Sequence, residues 1–222
     1  LIAGDGVAMS DEQATRTHPS LTRHQLRLAL REQRKAVPKS VALHAANAIA
    51  RHLARRIIKK GQRIAVYAAI DGEIDLSPVI RQAQRVGCVV YAPHIVNMRA
   101  RRMEFVECTR ATSGCYSDGH KPLSISVSRN QPHRRIDPRR LDVVLLPLVA
   151  FDANGWRLGF GAGFYDRKFS FLRRQFVTRP ILIGVGYEFQ RVPPQIPNTW
   201  DVLLNAVVTE HGLRQCHSLH IQ

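Results

Sequence analysis

The sequence predicts a single α/β domain, a three-layer sandwich with a mostly parallel, Rossmann-like sheet flanked by helices. Three observations predict it. Apolar runs of strand length recur along the chain: RIAVYAAI (63–70), CVVYAP (88–93), LDVVLLPLVAF (141–151), PILIGVGY (180–187) and NAVVTE (205–210). A helical segment joins the first two of these runs as a βαβ unit, whose connection implies a parallel pair. Finally, 222 residues, 45% of them hydrophobic, suffice for one large α/β domain or two small ones and argue against wholesale disorder.

Residues 1–20 mix Gly, Ser, Thr and acids without periodicity and read as a disordered tail ahead of a domain spanning 21–222. The chain opens Leu1-Ile2-Ala3, and Met9 is followed by Ser10, which leaves open a foreign leader ahead of Met9. A first helix starts near Leu21. Leu26, Leu30 and Val37 share one face, and Arg23, Arg27, Arg31 and Arg34 follow three- and four-residue spacing on another. Pro38 stops it. Ser40 is expected to cap a second helix, with Val41, Ala45, Ile49, Leu53 and Ile57 as its buried stripe and Gly61 at its end. The run 63–70 reads as a buried strand, followed by Asp71-Gly72-Glu73-Ile74-Asp75. Ser77 as cap and Pro78 at the first position open a third helix that closes at Gly87, and 88–93 returns as a strand. RMEFVEC (102–108) is a candidate strand, and 109–135 reads as an irregular insertion. The run 141–151 is a strong buried strand. A helix near Tyr165 buries Phe169, Leu172 and Phe176, and the runs 180–187 and 205–210 complete the sheet.

Composition narrows the function. The longest apolar runs are interrupted and too short to span a bilayer, and no signal-peptide series opens the chain. Cys88, Cys108, Cys115 and Cys216 lack CxxC spacing, so structural zinc is not expected and reduced thiols in a cytoplasmic protein are. The net charge is +16, with twelve Lys/Arg against one acid in residues 23–63. Such a surface suits nucleic acid or a polyanionic small molecule. Residues 23–63 contain no Phe, Tyr or Trp, which weakens the nucleic-acid reading, since single-strand binding needs stacking platforms.

Ligand sites of open α/β sheets gather at the carboxyl ends of strands. Three segments fall there: 71–75, RLGFGAGFYDR (157–167), and Tyr187-Glu188-Phe189-Gln190. In the second, alternating glycines can take positive φ and let amides converge on phosphate at a helix mouth, and Arg157 and Arg167 add charge. A tight strand–helix turn explains the same glycines. The segment is neither a Walker sequence nor a GxGxxG fingerprint.

LDVVLLPLVAFDANGWRLGFGAGFYDR resembles the signature of the 5-formyltetrahydrofolate cyclo-ligases, the 5,10-methenyltetrahydrofolate synthetases. Three other segments agree in order and spacing: Arg23 with Leu26-Arg27, VYAAIDGEID, and IGVGYEFQ…IPNTWDVLLNAVVTE. The resemblance covers roughly 21–210. It implies an ATP- and Mg²⁺-dependent ring closure in which the N5-formyl oxygen accepts a phosphoryl group, N10 attacks the activated carbon, and phosphate leaves. Such chemistry needs mainly alignment and charge neutralisation.

The resemblance places Arg23, Arg27, Arg157, Leu158, Gly159, Phe160, Gly161, Ala162, Gly163, Phe164 and Tyr165 at ATP. Asp166 and Arg167 become catalytic, Asp166 and Asp201 metal ligands, and Ala68, Glu73, Phe160 and Phe164 substrate contacts. The implied substrate is a folate, polyglutamylated or not. Two departures stand out: Trp200 replaces the His that often precedes the Asp aligned with Asp201, and NQPHRRIDP (130–138) lacks the usual Glu-Pro pair. A homologue that binds folate or nucleotide without turnover is the other alternative.

Overall fold

The computed structural model describes residues 21–108, 134–174 and 177–216. The main sheet has eight strands: β1 (Arg63–Ala65), β2 (Val89–Asn97), β3 (Arg102–Glu107), β4 (Arg135–Ile136), β5 (Val143–Pro147), β8 (Ile181–Val185), β9 (Ala206–Thr209) and β10 (Gly212–Gln215). Their order is β10-β9-β8-β5-β1-β2-β3-β4. The five central strands, β9 to β2, run parallel, and β10, β3 and β4 are antiparallel additions. A separate two-stranded sheet pairs β6 (Ala150–Phe151) with β7 (Arg157–Leu158).

Both faces of the parallel core are covered, which explains its unbroken apolar runs. On one face Ile64, Val90, Val143, Leu145, Ile183 and Val208 pack against α2 (Lys39–Arg56) and α3 (Ser77–Arg85). On the other, Ala65, Val144, Leu146, Leu182 and Val207 meet Phe164 and Phe169, around the short α4 (Phe164–Lys168), with Val202 and Leu204. Helix α1 (Arg23–Lys35) instead packs Leu26 and Leu30 against Val149, Ala150, Trp156 and Leu158. It thus lies on the small sheet, next to the carboxyl ends of the main strands. No described helix is long and apolar enough to cross a membrane.

Several boundaries depart from the sequence expectation. Strand β1 ends at Ala65, because after Val66 donates to Tyr91 O the chain leaves the sheet. The run 141–151 splits after Pro147, and Ala150-Phe151 crosses to the small sheet. Helix α2 begins at Lys39 after Pro38 with no side-chain cap, and Val41 is exposed. Helix α3 starts at Ser77 itself, whose hydroxyl and amide both donate to Asp75. RMEFVEC does form a strand, and Arg135-Ile136 pairs with it. Helix α4 has only five residues before a 3₁₀ turn over Ser170–Arg173. The expected tail at 1–20, nearly all of the insertion, Cys115 and Phe176 lie outside the described residues. Cys88 and Cys216 are free thiols.

Candidate active site

A cavity of about 1000 Å³ opens at the carboxyl ends of β1 and β5. Every site residue named from the sequence lines it: Arg23, Arg27, Ala68, Glu73, the whole of 157–167, and Asp201. The third expected segment does not. Tyr187 and Gln190 are buried, Gln190 donates to Leu148 O and Val149 O, and Glu188 accepts from Thr209 and Arg214. That segment braces the fold beside the cavity.

The glycine loop is shaped by two of its three glycines. Gly161 and Gly163 have φ of +97° and +67°, whereas Gly159 needs no such freedom. Phe160, Gly161 and Ala162 make no backbone hydrogen bond among the described residues, so their amides are available to a ligand. A five-residue α4 adds little macrodipole, and the helix-mouth part of the sequence expectation gives way to amides and arginines. Arg27 Nε donates to Gly159 O at 2.8 Å and ties α1 to the loop.

Arg157 donates to Asp166 Oδ1 at 2.7 Å and to Val202 O, and the Val202 amide donates to the same Asp166 oxygen at 3.1 Å. Asp166 is thereby fixed at the floor of the loop. Arg23 donates to Ile196 O at 2.7 Å, and its other nitrogen lies 3.9 Å from Asp201 Oδ2. That oxygen also accepts from the Asn198 amide at 2.8 Å. Arg167 is exposed at the rim and makes no ion pair or hydrogen bond through its side chain among the described residues. Phe164 is buried in the sheet core, which leaves Phe160 as the loop's more accessible ring.

Glu73 is the most unusual acid. Its side chain is 4% exposed, Oε2 accepts from the Ile70 amide at 3.0 Å, and Oε1 is buried with no hydrogen-bond partner. Burial pushes its carboxyl up to about 7, with Arg34 pulling the other way. A buried acceptor left without a donor in a ligand-sized cavity is a place for a ligand N–H.

Three arrangements escaped the sequence reading. Arg34, assigned to a basic face, is fully buried and bonded to Asp71 O and Leu148 O. Its signal was its position: it continues the i+4 row of Leu26 and Leu30. Arg101, in the β2–β3 turn with φ of +51°, reaches Gly163 from the opposite wall. Tyr67 lines the cavity and donates to Ile74 O at 3.0 Å, holding the loop that carries Glu73. Trp200 lines the cavity and is 61% exposed.

The sequence model of the 5-formyltetrahydrofolate cyclo-ligase family matches residues 19–210. The 5-formyltetrahydrofolate cyclo-ligase of Escherichia coli (strain K12) is 35% identical over 153 residues, 66% of this chain and 76% of that protein. The protein of the same name from Haemophilus influenzae is 28% identical over 173 residues, 78% of this chain and 84% of its own. The NMR structure of Aquifex aeolicus 5,10-methenyltetrahydrofolate synthetase shares the fold, with a TM-score of 0.71 at 23% identity, over 90% of this chain and 95% of that one. A match over nearly the whole described fold, with those relatives beside it, has one consequence: this chain belongs to the 5-formyltetrahydrofolate cyclo-ligase family.

Proposed function

We propose that the protein closes 5-formyltetrahydrofolate to 5,10-methenyltetrahydrofolate, using ATP and Mg²⁺ and releasing ADP and phosphate. The observation that carries this reading is convergence. One cavity of about 1000 Å³ collects an amide-rich loop, several arginines, two carboxylates and a buried acceptor without a donor. That volume is at the upper end for a single small-molecule site and suits two ligands side by side. Membership of the cyclo-ligase family supplies the reaction class.

The residues fit the groups they would hold. Asp166 and Asp201 each hold a protein amide with one carboxylate oxygen, and the other oxygen accepts no protein hydrogen bond among the described residues. Two such carboxylates suit a magnesium that shares its remaining positions with phosphate and water. No group of three or more His, Cys, Asp or Glu suited to a metal occurs among the described residues. When bound, ATP with its magnesium supplies the phosphoryl group that makes the formyl oxygen able to leave. Arg27, Arg157, Arg167 and the loop amides hold phosphate oxygens, while Glu73 accepts N–H donors from the pterin edge. Ala68 and Phe160 border the folate, and the buried Phe164 sets the loop from beneath. Arg23 links Asp201 to α1. The work of the protein is orientation and charge compensation, without a protein nucleophile. The reading includes a cytoplasmic setting and leaves room at the arginine-lined rim for a polyglutamyl tail.

Purified protein supplied with 5-formyltetrahydrofolate, ATP and Mg²⁺ is expected to form the methenyl chromophore. Asp166→Ala is expected to lower kcat by about 10²-fold or more, the scale of losing one preorganised electrostatic element. Folded protein that gives no chromophore overturns the reading.

A further inference from the structure

Arg34 is an unusual residue to find inside this protein. Its side chain is 1% exposed, yet it comes from a helix whose other arginines reach solvent or the cavity. Nε donates to Asp71 O at 2.9 Å, Nη1 to Leu148 O at 3.1 Å and Nη2 to Asp71 Oδ2 at 3.4 Å. Nη1 also lies 3.9 Å from Glu73 Oε1, the oxygen that lacks a hydrogen-bond partner. The guanidinium stands 5.3 Å from the centre of the Phe160 ring, and Arg31 stands 5.0 Å from the same ring. The backbone is pressed together at the same place: a Cβ at Gly72 would meet Arg34 O at 2.9 Å.

A buried guanidinium needs acceptors for its donors and an opposing charge. Asp71 meets part of that need, but Arg31 and Lys35 share its carboxylate. Arg34 is thus incompletely neutralised, and the nearest remaining anion is Glu73. We propose that Arg34 is a positioning residue of the ring-closure reaction, whose guanidinium favours the carboxylate form of Glu73 and directs it at the substrate while bracing Phe160 of the glycine loop. This rests on the reading that Glu73 receives the folate.

The other charged and titratable groups around Glu73 define the balance. Arg31 and Arg34 act from α1, Asp71 from the same loop, Tyr67 from the chain after β1, and Tyr165 from α4. The two arginines favour the carboxylate, and Asp71 opposes it. Removing Arg34 and removing the Asp71 charge must therefore move Glu73 in opposite directions. A merely structural disturbance has no reason to do so.

The test titrates the protein with 5-formyltetrahydrofolate by calorimetry, without nucleotide, from about pH 5.5 to about pH 9. In the native chain affinity rises with pH, about tenfold per unit, and levels off once Glu73 is ionised. Arg34→Met is expected to move that inflection up by about one unit or more, the usual effect of one opposite charge within a few ångströms. Arg34→Lys, which keeps the charge, restores most of it. Asp71→Asn moves it down, and Asn tolerates the positive φ of +53° at that position. That variant changes no residue of α1, although it removes the charge that Arg31, Arg34 and Lys35 share, and if Arg34→Met does not fold Arg34→Gln takes its place beside it. An inflection unmoved by Arg34→Met or Asp71→Asn, or moved the same way by both, overturns the role of Arg34. Glu73→Gln separates the two levels: a native pH profile in that variant removes Glu73 from the folate site altogether.

Discussion

The buried carboxyl of Glu73 carries a cost in the folded protein. Burial raises its carboxyl to about 7 from an ordinary value of 4.5. Between those values the folded chain holds a proton that the unfolded chain has released, so stability falls as pH rises, and the loss is complete above pH about 7. The gap corresponds to about 3 kcal/mol. Glu73→Gln, which keeps the shape without the charge, is expected to exceed the native chain in stability by about that amount near pH 8 and to match it near pH 4.5. Urea denaturation at the two pH values checks this, and an equal difference at both would assign the effect to packing. The place of Glu73 at the cavity was legible from VYAAIDGEID, but its missing donor was not. That property depends on Arg34 and Ile70 converging from separate stretches of chain, and periodicity alone cannot show which row of a helix a second element will cover.

At the scale of elements, α1 matters most for the site. Thr22 accepts from the Gln25 amide while Gln25 Oε1 accepts from the Thr22 amide, a reciprocal cap that fixes the first turn. That turn carries Arg23, and Arg27 follows one turn later with its bond to Gly159 O. Thr22→Ala is expected to cost about 1 kcal/mol and to raise the KM for ATP a few-fold with little change in kcat. Steady-state kinetics and thermal melts check both; an unchanged KM with the expected loss of stability would detach the first turn from nucleotide binding. Helices and central strands were legible because their apolar spacing reflects burial on one or two faces. The misplaced ends share a cause. At Val66 and at Pro147 the chain leaves the sheet while staying apolar, because the next residues line the cavity or pack beneath the small sheet. A run of hydrophobic residues records burial, not which sheet provides it.

For the whole molecule, the parallel order β9-β8-β5-β1-β2 puts the ends of β1 and β5 side by side, and the chain after each supplies one wall of the cavity. Glu73 follows β1, and the glycine loop follows β5 by way of the small sheet. Segments 84 positions or more apart therefore meet without any motif recording the distance, and only their order along the chain was available beforehand. The net charge of +16 belongs to the same scale. Arg101, Arg102, Arg167, Lys168 and Arg173 ring the cavity together with Arg23, Arg27 and Arg157, against Glu73, Asp166 and Asp201. Such an excess attracts polyanions over distances that salt controls. Between about 0.1 M and about 1 M salt the screening length falls from about 10 Å to about 3 Å. Groups in contact with bound ligand are screened far less. Raising salt over that range is therefore expected to increase KM for ATP and for 5-formyltetrahydrofolate several-fold, with kcat nearly constant. Initial-rate kinetics at matched pH measure it. A fall in kcat at constant KM would show that the arginines act on the bound state alone, and that the charge of the molecule as a whole does not gather its substrates.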